Sequence, residues 1–97
     1  MLGWFDAHEA KAFGAALAKE FIQQMAPARN LPPPKFAKKA ETALAKLDRD
    51  TAAFCATHPL NFYKRAQLTN QFKWAMKDAG YDADYIDKLT DWLVLKL

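Results

Sequence analysis

Two groups of residues in this 97-residue chain have types and spacing that could do chemistry. The first is Cys55 with His58, three apart, a separation that sets a thiol and an imidazole on one face of a helix. A structural metal site needs four protein ligands and a catalytic one three. Cys55 is the single cysteine, and the other histidine, His8, is distant in sequence. The pair therefore reads as core or capping residues rather than a metal site or a nucleophile with its base. No metal and no cofactor is expected.

The second group is Tyr63, Gln67, Asn70, Lys73, Trp74 and Lys77, which share the side of one helix that its apolar stripe does not use. Rings to stack, amides to hydrogen-bond and ammonium groups for phosphate or carboxylate are the parts of a nucleic-acid or peptide-binding surface. The alternative is that a neighbouring helix, or the preceding Trp4–Phe5, covers those rings as part of a bundle.

A third feature is electrostatic. Lys35, Lys38, Lys39, Lys46 and Arg49 fall within an arc of about 100° on a helical wheel, nearly opposite that helix's apolar face. Such an arc is either a solvated face or a landing strip for phosphates, an anionic membrane or an acidic protein. Asp82, Asp84, Asp87 and Asp91 superficially resemble a calcium loop, but its sixth place holds Asp87 instead of glycine and its twelfth holds Leu93 instead of glutamate. Helix capping accounts for them better. No glycine-rich phosphate loop, Ser-His-Asp order or pair of catalytic carboxylates can be assembled, so the chain is not expected to be an enzyme.

The helix carrying the second group organises the rest. Between Leu60 and Tyr81, Asn61 is a good N-cap, Leu68, Phe72, Ala75, Met76 and Ala79 form the core stripe, and Gly80–Tyr81 reads as a glycine-based stop. Upstream, a helix over 6–26 opens on Asp6 and Glu9 in a capping-box variant, buries Phe13, Gly14, Leu17, Ala18 and Phe21, and ends at Pro27. Residues 26–34, APARNLPPP, are a proline-rich connector in extended polyproline form, with Pro34 at the first helical position of a helix over 35–57. The same proline run could serve as a ligand for an SH3- or WW-type groove, though a connector needs no further purpose. Pro59 stops that helix. The last helix, over 84–96, is apolar on several sides: Ile86, Leu89 and Leu93 make its core sector, while Trp92, Val94 and Leu95 extend it around the helix. A helix of that kind is central or pressed against a second copy.

Composition fits a single all-α domain, a bundle of about four helices spanning 1–97. Alanine is abundant, β-branched residues are few, and no strand alternation appears. The net charge of +3 is unevenly spread: residues 31–80 carry nine Lys or Arg against four carboxylates, and residues 81–97 carry two against four. The start lacks the charged flank and apolar run of a signal peptide, and no segment has the ~20 apolar residues of a membrane span. With one cysteine, a cytoplasmic location is expected. Leu2, Trp4 and Phe5 ahead of the first helix admit a membrane-interface role, but the helix's polar face is mixed in sign rather than basic.

The functional expectation is a small non-catalytic protein-interaction module. It associates with itself, as a homodimer, or docks on a larger protein partner, with Trp92, Val94 and Leu95 as the self-association residues. The alternative is a nucleic-acid-binding protein using the basic arc, joined by Lys73 and Lys77 if the two faces adjoin.

Overall fold

A computed structural model describes residues 5–97, and the turn at Gly80 shows how local sequence sets its architecture. Helices α1 (His8–Met25), α2 (Pro33–Thr57), α3 (Phe62–Asp78) and α4 (Ala83–Lys96) follow one another, with a 3-10 turn, Ala26–Ala28, after α1. Gly80 takes a φ of 85°, which glycine reaches without a Cβ penalty. Its N–H donates to the Lys77 carbonyl at 2.9 Å, and the Tyr81 N–H donates to the Met76 carbonyl at 3.3 Å. These two bonds are the Schellman motif and satisfy carbonyls that the end of α3 would leave open. The start of α3 is equally local: the Asn61 side-chain oxygen accepts from the Lys64 N–H at 2.8 Å. Asp82 caps α4 by accepting from the Asp84 and Tyr85 amides at 3.0 and 3.3 Å.

Two expectations need correction. Helix α1 begins at His8 rather than Asp6. Asp6 accepts from the His8 N–H at 3.2 Å, but no side chain caps the helix in box fashion, because Glu9 is turned toward His58. The proline run is extended only at Pro32 (φ −55°, ψ 151°), while Pro33 and Pro34 already belong to α2. Proline's fixed φ suits a first turn, where its missing N–H has no helical acceptor to lose. Leu2 and Trp4, with the membrane-interface idea built on them, lie outside the described residues.

The backbone of α1 packs on α3 and α2, and that of α4 on the same two helices. Among the described residues, α1 does not approach α4 at the backbone, nor α2 approach α3, so the helices form a four-cornered all-α bundle with these pairs on its diagonals. Leu17, Phe21, Leu47, Leu68, Phe72, Met76 and Leu93 fill the middle and are almost completely buried. Each contributes roughly 1.5–3 kcal/mol of hydrophobic free energy. Gly14 faces the Leu68 carbonyl across the α1–α3 contact, which allows those two backbones their close approach.

The two ends of the bundle are closed by aromatic groups. At one end Phe13 stacks on Phe54 (4.1 Å between centroids, 3° between planes), and Phe54 stacks in turn on His58 at 4.3 Å. At the other, Tyr81 and Tyr85 pack around Phe21, with Phe36 edge-on to Tyr85. There Arg29 donates to the Ala79 carbonyl at 3.0 Å and lies over the Tyr81 ring at 4.3 Å, fastening the connector to the α3–α4 turn.

Candidate functional site

Two grooves open along the seam between α3 and α4. These helices run antiparallel, so the first turns of α3 lie beside the last turns of α4. Phe62, Arg65, Ala66 and Thr69 of α3 line a groove of about 210 Å³ with Val94 and Leu97 of α4. Phe62 is 83% exposed, Val94 53% and Leu95 85%. The cap at Asn61 starts α3 one residue before Phe62 and so fixes Phe62 at the rim. The wheel of α4 has one core sector, Ile86, Leu89, Thr90 and Leu93, and Leu95 falls opposite it. Trp92 is half-buried on the other flank with Lys96 over its ring at 5.7 Å. Phe62 had no place in the sequence-based site. Its position one residue after a cap and four before Ala66, on the same side as Thr69, was the available signal.

Farther along the seam the second group separates. Trp74 is 57% exposed, and Lys77 sits over its ring at 5.4 Å. Asn70, Lys73 and Lys77 are exposed beside it, while Gln67 is half-buried. Tyr63 packs against the core and meets Phe5 edge-on at 5.5 Å. The rings therefore form no continuous platform: Phe5 partly covers Tyr63, and Trp74 stands in solvent. Lys73 reaches Asp87 of α4 at 3.8 Å, across a groove of about 240 Å³ floored by Tyr81 and Ile86. The Tyr81 hydroxyl is buried with no hydrogen-bond partner among the described residues. Burial pushes the Tyr81 and Tyr85 phenols up from their ordinary value, and the Arg29 charge partly offsets this at Tyr81.

The basic arc of α2 keeps four of its five cations open. Lys35, Lys38, Lys39 and Arg49 are exposed. Lys46 is engaged by Asp50 at 3.1 Å and by Glu20 of α1 at 3.4 Å. The Asp50 hydrogen bond and charge, with the attraction of Glu20, raise the Lys46 pKa above the usual lysine value. The arc is therefore not wholly turned away from the bundle, since one border reaches α1. Because α2 and α3 are diagonal, it does not run into Lys73 and Lys77.

A cleft of about 260 Å³ with mixed polar and apolar walls opens where α1 begins and α2 ends, lined by Asp6, Glu9, Phe54, His58, Leu60 and Lys64 among others. His58 Nε2 approaches Glu9 Oε2 at 2.5 Å, while Nδ1 lies 2.8 Å from Thr57 Oγ1 and 3.2 Å from the Phe54 carbonyl. The Thr57 hydroxyl reaches the Phe54 and Ala53 carbonyls at 3.3 and 3.5 Å. The imidazole is thus turned into a clasp between α1 and α2, and Cys55, half-buried on the same helix, takes no part. Among the described residues, no cluster of three His, Cys, Asp or Glu could hold a metal ion, and no helix is long and apolar enough to cross a membrane.

No protein-family model matches the chain, and neither does any curated protein or solved structure.

Proposed function

We propose that this chain is a small non-catalytic interaction module that pairs with a second copy of itself through the α3–α4 seam. The observation that carries this reading is the pair of exposed side chains Phe62 and Val94 lining an apolar groove, with Leu95 exposed next to Val94 on the outer side of α4. Large apolar side chains exposed close together mark a contact surface, where single ones would not. Charge favours a like partner. Arg65 borders the groove on α3, and Asp91, one turn before Val94 on α4, is exposed beside it. A two-fold axis through the groove brings Arg65 of each copy toward the other copy's acidic helix.

The same reading sets the module in the cytoplasm, where the lone Cys55 thiol stays reduced.

Sedimentation equilibrium at high micromolar concentration tests the proposal. The expected result is a mass approaching twice 11.0 kDa, which returns to the monomer value in Leu95→Glu. A wild-type chain that stays monomeric throughout overturns it.

A further inference from the structure

Helix α2 is the longest element, 25 residues or about 37 Å; Ala40, Ala43, Leu47 and Thr51 are buried, Phe36, Leu44 and Phe54 are partly buried against the core, and the opposite side is open. Its outward arc has an unusual make-up. Over about 140° of the wheel, between Glu41 on one border and Asp50 on the other, the arc holds Lys, Arg, Ala, Thr and the leading Pro34, with no carboxylate and no bulky apolar group. Lys35, Lys38, Lys39 and Arg49 have no ion-pair partner among the described residues. Of the carboxylates nearby, Asp50 and Glu20 hold Lys46 and Asp48 holds Lys96 at 3.5 Å, while Glu41 on the border is exposed and outside the ion pairs found among the described residues.

We infer that this face binds the phosphate backbone of duplex nucleic acid without regard to base sequence. Four open cations spread from Lys35 to Arg49, roughly 21 Å along the helix, match a polyanion better than a single anionic group. Small residues between them, Thr42, Ala45 and Ala53, are exposed and leave the helix narrow on this side, and a bare helix is what the ~12 Å major groove admits. The arc contains no ring on which an unpaired base could stack, which favours a duplex over a single strand. With no Asn, Gln or Glu in it either, the face lacks the amide and carboxylate groups that read adenine and cytosine. This surface belongs to α2 alone and does not depend on the pairing proposed for the α3–α4 seam.

The test is fluorescence anisotropy of a labelled 20-base-pair DNA duplex of mixed sequence, titrated with the whole chain across a salt series. The expected affinity falls steeply with salt, with a log–log slope of about −3.6 for four phosphate contacts. The double reversal Lys38→Glu with Arg49→Glu should weaken binding more than tenfold. The reversal Lys11→Glu with Lys88→Glu, equal in net charge but on other helices, should leave it within about threefold. Helical content by circular dichroism confirms that both variants fold. Absence of binding at 50 mM salt overturns the inference, as does an equal loss in the two double variants. Tighter binding to a single strand, or displacement of the duplex by an equal charge of poly-L-glutamate, overturns it too and assigns the face to another partner.

Discussion

Gly14 of α1 and Leu68 of α3 meet backbone to backbone: a Cβ built on Gly14 would overlap the Leu68 carbonyl oxygen. The contact lies within the most extensive helix pairing of the bundle. Its neighbours, Leu17, Ala18 and Phe72, are all buried, so neither helix can withdraw without opening the core. Alanine at this position should gain about 1 kcal/mol in helix propensity, yet the overlap is with backbone rather than a flexible side-chain end. Gly14→Ala is therefore expected to be destabilised by a net ~1–3 kcal/mol, read as a lower urea midpoint at unchanged slope.

Thr51 Oγ1 in α2 and the Tyr81 OH are buried hydroxyls with no hydrogen-bond partner among the described residues. An unsatisfied buried polar group carries a desolvation cost of about 1–3 kcal/mol. Thr51→Val keeps the shape while removing the hydroxyl, and Tyr81→Phe keeps the ring that Arg29 covers. Both variants should be as stable as the parent or more so, by up to ~1 kcal/mol, in urea unfolding at neutral pH. A loss of more than about 1 kcal/mol in either would mean that its hydroxyl has a partner after all.

The same tyrosine and its neighbour Tyr85 give the fold an alkaline limit. Burial raises both phenols in the folded chain above their ordinary value. A raised folded value means that the unfolded chain releases these protons first. Their contribution is fully present below the unfolded value, about pH 10, and is lost as pH rises through the folded values. The urea midpoint should fall between pH 9 and 11, and the fall should shrink when Tyr81 and Tyr85 are both phenylalanine.

The ends of α3 and the start of α4 were legible in the sequence because they are local chemistry. Asn61, Gly80 and Asp82 each act on amides or carbonyls within about a turn of themselves. The core stripe of Leu68, Phe72 and Met76 was legible too, since a period of 3.6 needs no partner to be visible. What the sequence could not settle depends on neighbours. Tyr63 and Trp74 share one side of α3, yet Tyr63 packs against the core and meets Phe5 while Trp74 stays bare, a difference set by tertiary packing. Lys46 has Asp50 one turn on in its own helix, but its second partner, Glu20, is supplied only by the packing of α1 against α2. The prolines misled for a different reason: φ near −65° serves both an extended run and a first helical turn, and only the following ψ distinguishes them.

Trp74 can be isolated by replacing Trp92 and Trp4 with phenylalanine. Its exposure predicts acrylamide quenching close to that of free tryptophan, and Lys77→Ala should alter the emission by removing the cation over the ring. Quenching as weak as that of a core residue would mean that Trp74 is covered in solution. In that case the seam would extend from Phe62 through Trp74 as one contact face.

Leu93 and Leu95, two residues apart on α4, separate folding from association. Leu93 is fully buried in the core and Leu95 is almost wholly in solvent. Leu93→Ala should cost ~2–5 kcal/mol through lost contacts and the cavity left behind, at every protein concentration. Leu95→Glu should leave the stability of the single chain within about 0.5 kcal/mol, because no monomer contact is removed. If the seam pairs two copies, the parent's melting temperature will rise with protein concentration and that of Leu95→Glu will not, since only a species stabilised by its partner responds to mass action. A parent melting temperature that ignores concentration, with Leu95→Glu indistinguishable from it, would place the exposed leucine among the single surface apolar residues that need no partner.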